Sequence, residues 1–295
     1  MKINKKIFIS ILLVFVMLCV ISNASAEDTN IDENLTMSDT DDVSLEEDDS
    51  QDTLVVSDSE EKISEGNVIT VEGGGSGKIS AAINSASSGD TIFIKNGEYS
   101  ESAKITLTKS LNFVGESQDG VFITLSATNT LFEMIGSGVV LSFNQLTFNN
   151  INSGTGSNVP IKIGGDSNVD IINCSFIGCS SKFGVMQLYT TGTATVSDCT
   201  IQDFKSTASG GTGGIYLSGN GNYEIKNTVI DNSQYTVSSG YMYGVIYVSG
   251  KTSVTTLDNV TISNCRGSAS SVIYSKAKTT VKNSQCRQLE LKSFS

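Results

Sequence analysis

The chain of 295 residues has no histidine, no tryptophan and one proline, Pro160. Without histidine, a Ser-His triad and a Cys/His zinc centre are both excluded, and no Cys-x-x-Cys spacing compensates. Arginine occurs only at Arg266 and Arg287, and from Gly66 onward 15 acidic residues meet 15 basic ones. That balance offers no basic surface for nucleic acid. Long helices are absent too, since almost no window after residue 90 keeps a 3.6-residue period. The one long apolar run, Ile7 to Ile21, falls short of the roughly 20 residues that span a bilayer.

What remains divides into three unlike parts. Residues 1–26 read as a signal peptide: Lys2, Lys5 and Lys6, the apolar run, then Ala24-Ser25-Ala26. Leu18 before Cys19 is too bulky for a lipid-attachment site. Residues 27–65 carry 16 Asp and Glu against one Lys. Such self-repulsion, with so little apolar surface, predicts a disordered acidic segment. Asp39, Asp41 and Asp42 could ligate calcium, but without the glycine and spacing of an EF-hand loop they read as solvated spacer. An exported chain, secreted or held at the cell surface, is therefore expected.

Residues 66–295 form the repeat domain. The pattern apolar-x-apolar-x-Asn returns from Leu111/Phe113/Gly115 to Thr279/Val281/Asn283 at intervals of 30, 28, 25, 29, 32 and 24 residues. Its anchor column runs Gln145, Asn173, Asp198, Asn227, Asn259 and Asn283, where Asn and Asp suit left-handed backbone and hydrogen-bond neighbouring main chain. Period-2 alternation at a fixed repeat predicts stacked strand-and-turn coils, about seven of them. Ahead of them, Ile79, Ala82, Ile83 and Ala86 share one helical face, predicting a short helix that caps the first coil. Pro160 opens the strand Ile161 to Ile163, where a missing donor is tolerable. Cys174 and Cys199 hold the same position in adjacent coils, about 4.8 Å apart. They read as a disulfide or as a ladder of small buried side chains.

The stretch Gly89 to Tyr99, followed by Ile105 to Gly115, resembles the start of right-handed parallel β-helix proteins of the pectate-lyase-like superfamily. With Asn173-Cys174-Ser175-Phe176 and the leader and acidic segment in front, the chain is similar to adhesin-like surface proteins of methanogenic archaea. The likeness covers roughly residues 66–286. It implies an all-β, right-handed single-stranded parallel β-helix. The chain departs from those adhesins in lacking downstream wall-binding or immunoglobulin-like modules and a C-terminal span, and Arg287 to Ser295 fit no repeat. An irregular or truncated end, open to self-association, is the expectation.

Chemistry is harder to read. Gly73-Gly74-Gly75-Ser76-Gly77-Lys78 imitates a phosphate loop, but Glu72 stands at the first Gly position and Ile79 at the hydroxyl position. Carboxylates are few, and neither Asp166/Asp170 nor Asp198/Asp203 recurs in register on a neighbouring coil. The His- and Trp-containing signatures of pectate lyases and polygalacturonases cannot be present. The candidate ligand face is a column of Tyr189, Tyr216, Tyr247 and Tyr274, spaced by 27, 31 and 27 residues. Outward-turned rings on successive coils would suit sugars, or would simply stack as a ladder. Asn34, Asn173 and Asn259 satisfy the N-x-Ser/Thr pattern; with the latter two at the structural anchor, Asn34 is the glycosylation candidate. The expectation is an adhesin-like binder of glycans or of surface proteins on other cells, without catalysis, cofactor or metal. The rivals are a polysaccharide lyase or hydrolase and a structural envelope component.

Overall fold

Each apolar-x-apolar-x-Asn unit folds as a strand whose apolar residues point inward, closed by a sharp turn. The computed structural model describes residues 66–237, 240–267, 272–287 and 290–291. The signal-like segment with Cys19, the acidic segment and Asn34 lie outside the described residues. Among the described residues, no helix is long and apolar enough to cross a membrane.

The strands form a right-handed parallel β-helix. Sheet 1 stacks nine strands from Val68–Val71 to Lys278–Lys282, and sheet 2 nine from Gly75–Ser76 to Gln285–Arg287 among the described residues. Sheet 3 holds seven, from Ile105–Thr106 to Ile273–Ser275, and the short sheet 4 five. The expected seven coils are thus too few. The coils of Val68–Val71 and Thr91–Ile94 pair in the same sheet but precede the apolar-x-apolar-x-Asn series, which begins at Leu111.

The core is a set of columns. In sheet 1, Ile92, Phe113, Phe143, Ile171, Val196, Ile225 and Leu257 pair in sequence, all buried. Identical residues in register stack at the strand spacing. Phe113 and Phe143 lie 4.9 Å apart at 4°, and Phe148 and Phe176 4.7 Å apart at 10°.

Every anchor residue is left-handed, with φ of 58° at Gln145, 50° at Asn173, 55° at Asp198, 48° at Asn227, 53° at Asn259 and 53° at Asn283. The turn stays within the ladder, since the Asn173 amide donates to the Ser197 carbonyl (2.9 Å) and that of Asn227 to Asp258 (3.0 Å). Side chains join up the column: Asn227 Nδ2 donates to Asp198 Oδ1 (3.1 Å), and Asn259 Nδ2 to Asn227 Oδ1 (2.9 Å). A second left-handed column, unrecognised in the sequence, follows five residues later at Asn150, Gly178, Asp203, Asn232 and Asn264. Its signal is there in the spacing Asn173/Gly178, Asp198/Asp203, Asn227/Asn232 and Asn259/Asn264. Cys174 and Cys199 each follow an anchor and stand as buried free thiols in this structure. Their Sγ–H groups reach the carbonyls of Ile172 (3.3 Å) and Ser197 (3.2 Å).

Helix α1, Lys78–Ser85, buries Ile79, Ala82 and Ile83 against the first coils. Charged groups of those coils grip both of its ends. Glu101 Oε1 accepts from the amides of Ile79 (3.1 Å) and Ser80 (3.2 Å), and Lys109 Nζ donates to the carbonyls of Ile83 (2.9 Å) and Ala86.

Candidate functional site

Sheet 3 carries the tyrosines, and its register decides how they group. Strand alternation turns Ile215 and Leu217 inward and Tyr216 outward. Tyr216 pairs with Tyr247, and Tyr247 with Tyr274. In the other direction Tyr216 pairs with Gln187, not with Tyr189. Tyr189 lies two residues further along its strand, opposite Gly164. The four tyrosines are therefore not one column. Residue spacing could not show this, because the loop before Tyr216 is longer than the one before Tyr189.

Two of the three that align, Tyr216 and Tyr247, do not present free flat faces. Tyr216 and Tyr247 lie 4.9 Å apart at 8°, and Phe183 stacks on the other side of Tyr216 at 5.1 Å. Rings stacked at the strand spacing spend their faces on one another and turn edges to solvent. Tyr243 closes over Tyr247 at 4.4 Å, and Lys276 Nζ stands 5.7 Å from the same ring. Tyr247 is consequently 4% exposed. The hydrogen bond from Lys276 to Tyr247 raises that ammonium above the ordinary lysine value. Tyr274, at the end of the column, stays open at 36%.

Tyr189 is different. A β-carbon at Gly164 would come within 2.0 Å of the Tyr189 ring, so the ring lies flat over that glycine. Tyr189 also lines an open concavity of about 360 Å³, shared with Ser157, Lys162, Gln187 and Ser218. Gln187 Nε2 donates to Ser218 Oγ (3.2 Å), while Gln187 Oε1 is buried and accepts no hydrogen bond. Native buried acceptors are seldom left so.

Behind the cup, Glu133 sits between two lysines. Lys162 Nζ lies 3.2 Å from Glu133 Oε1, and Lys104 holds the other carboxylate oxygen. Burial would push this carboxyl upward, but the hydrogen bonds from Lys104 and Lys162 outweigh it and leave Glu133 below the ordinary glutamate value. Burial, and then the Glu133 charge, raise the Tyr189 hydroxyl above the ordinary phenol. The cup thus holds one aromatic ring, an ammonium, the hydroxyls of Ser157 and Ser218 and an unsatisfied carbonyl. Sequence reasoning named Tyr189 but missed Gly164, Lys162, Gln187 and Ser218, which the fold brings together from separate coils.

No family model and no curated protein matches the chain. Solved structures that align with it include the PL6 family alginate lyase AlyGC, at 16% identity and TM-score 0.44, over 77% of this chain and 39% of that one. The pectin methylesterase PemA from Erwinia chrysanthemi aligns at 20% identity and TM-score 0.37, over 67% of this chain and 66% of that one. A pectin methylesterase in complex with a hexasaccharide aligns at 19% and TM-score 0.34, over 72% and 67%. The chain thus spans 39% of the lyase and 66% of PemA. The expectation of a chain without catalysis is corrected by these findings, because the fold-sharing chains are a lyase and esterases. At such identities and TM-scores the likeness assigns no activity to this chain, and its parallel β-helix rests on its own strand order and register.

Proposed function

We propose that the chain is an exported, adhesin-like β-helix protein that binds a glycan on the outer face of sheet 3, centred on Tyr189. The observation that carries this reading is the Tyr189 ring laid over Gly164 beside Lys162, Gln187 and Ser218. A flat aromatic face suits a sugar ring, and a few convergent polar groups fix its orientation. Glycans fit this shallow cup, with its Lys162 ammonium and the hydroxyls of Ser157 and Ser218, better than a protein anchor, which would need a deeper apolar pocket. A second reading, a polysaccharide-modifying enzyme using the same cup, is favoured by the Glu133–Lys162 pair at 3.2 Å. A carboxylate and an ammonium in hydrogen-bond reach are a proton acceptor and donor at one place.

The test is chromatography with light scattering of the full chain incubated with pectins, xylans and host-surface glycans. Co-elution with an intact polymer, lost in Tyr189→Ala and in Gly164→Ala with unchanged circular dichroism, is the expected result. Retention that survives Tyr189→Ala sinks the binding cup. A shortened polymer, with shortening abolished by Lys162→Met, establishes the second reading instead.

A further inference from the structure

Two N-x-Ser/Thr sequences fall among the described residues, Asn173-Cys174-Ser175 and Asn259-Val260-Thr261. Both asparagines occupy the first turn column with left-handed backbone, so the sequence makes them equivalent. Their surroundings do not. Asn173 is half-buried, and Ser175 is 8% exposed between Thr147 and Thr200 of the adjoining coils. Asn259 is exposed and Thr261 half-buried. The expectation that neither anchor asparagine is accessible therefore fails for Asn259.

The Asn259 amide has two N–H groups. One donates to Asn227 Oδ1 at 2.9 Å. The run of anchor-to-anchor side-chain bonds stops there, because Asn283 donates to Asp258 Oδ1 instead (2.9 Å). A substituent that replaces the other N–H of Asn259 leaves the bond to Asn227 in place. The turn joins sheet 1 to sheet 2, a corner to which sheet 3 contributes no strand. A glycan there leaves the Tyr189 cup clear.

We propose that Asn259 is an N-glycan acceptor of the exported chain and that Asn173 is not. The inference rests on the export part of the reading above. The donor is a lipid-linked oligosaccharide phosphate. The bond from Asn259 Nδ2 to the sugar C1 forms as the C1–O bond to phosphate breaks; one Nδ2 proton is lost, the lipid phosphate leaves, and nothing is oxidised or reduced. The folded coil then acts as a filter, because an adduct on half-buried Asn173 meets the packed coils on either side.

The full chain is produced in a secreting host that carries an oligosaccharyl transferase, and folded protein from the medium is mapped by peptide mass spectrometry. An appended Asn-Gly-Thr tag reports that the transferase is active. The expected result is glycan on Asn259, none on Asn173, loss of the Asn259 glycan in Thr261→Val and its retention in Thr261→Ser. Thr261→Val keeps Asn259 and its bond to Asn227, so it separates loss of the sequon from loss of the turn. An unmodified Asn259 in secreted, tag-modified protein overturns the proposal, as does glycan on Asn173. Failure of the chain to reach the medium overturns export itself, an outcome distinct from an exported but unmodified Asn259.

Discussion

At the scale of single residues, the anchor column explains why one residue type recurs where the rest of the repeat drifts. A left-handed residue with a β-carbon costs about 1–2 kcal/mol, and Asn lowers that cost by bonding locally. Asn227 has φ 48° and bonds to both Asp198 and Asn259. Asn227→Ala is expected to destabilise the domain by about 1–2 kcal/mol and Asn227→Gly by less, since glycine removes the strain but not the ladder bonds; urea unfolding of the two variants checks the order. Buried acids set a second expectation. Burial pushes the Cys179 and Cys199 thiols and the Tyr223 hydroxyl up to about 12, and Cys265 to about 11. These folded values exceed those of the unfolded chain, so the unfolded chain releases its protons first. Stability is therefore full below about pH 9 and falls as pH rises toward about 12. Urea midpoints at pH 8, 9.5 and 11 should decline in that order; a flat series contradicts the burial of these groups.

At the scale of elements, two structures of sheet 3 that look alike in sequence do different work. Tyr216, Tyr247 and Tyr274 form a ladder, and Tyr247 is covered by Tyr243 and Lys276. Tyr189 forms a platform over a glycine. Tyr247→Ala should then cost about 3 kcal/mol of stability, as removal of a buried aromatic does, and leave glycan retention intact. Tyr189→Ala should do the reverse. Measuring melting temperature and retention on both variants tests the division of labour directly. Helix α1 gives another element-level expectation. Glu101→Ala leaves the amides of Ile79 and Ser80 without their acceptor, a loss of about 1–3 kcal/mol. Hydrogen exchange should accelerate across residues 78–86 while the strand Asn168–Ile172 keeps its protection.

At the scale of the whole β-helix, each coil touches only its neighbours, so stability is close to a sum of coil and interface terms. Leu257 is fully buried in its column while Val281, which pairs with it one coil later, is 49% exposed. Exchange at Lys278–Lys282 and Gln285–Arg287 is expected to precede exchange at Asn168–Ile172, with intermediate coils between; uniform exchange would mean one cooperative unit. The architecture itself was legible in the residues. A period of about 28 with apolar pairs two apart and Asn after them demands stacked parallel coils, because alternation and left-handed turns are local properties of the chain. The repeats also marked which side chains of sheet 1 face inward, since its column from Ile92 to Leu257 follows the two-residue alternation. What they left open was everything that depends on loop length between strands. Tyr189 and Tyr216 have equivalent sequence neighbours, yet with the longer loop before it Tyr216 pairs with Gln187, two residues before Tyr189, and the two tyrosines part. Gly164, Lys162, Gln187 and Ser218 come from three coils and share no motif. Local patterning determined the coil and its core, and only the stacking register, a tertiary quantity, decided which outward residues meet to form the cup.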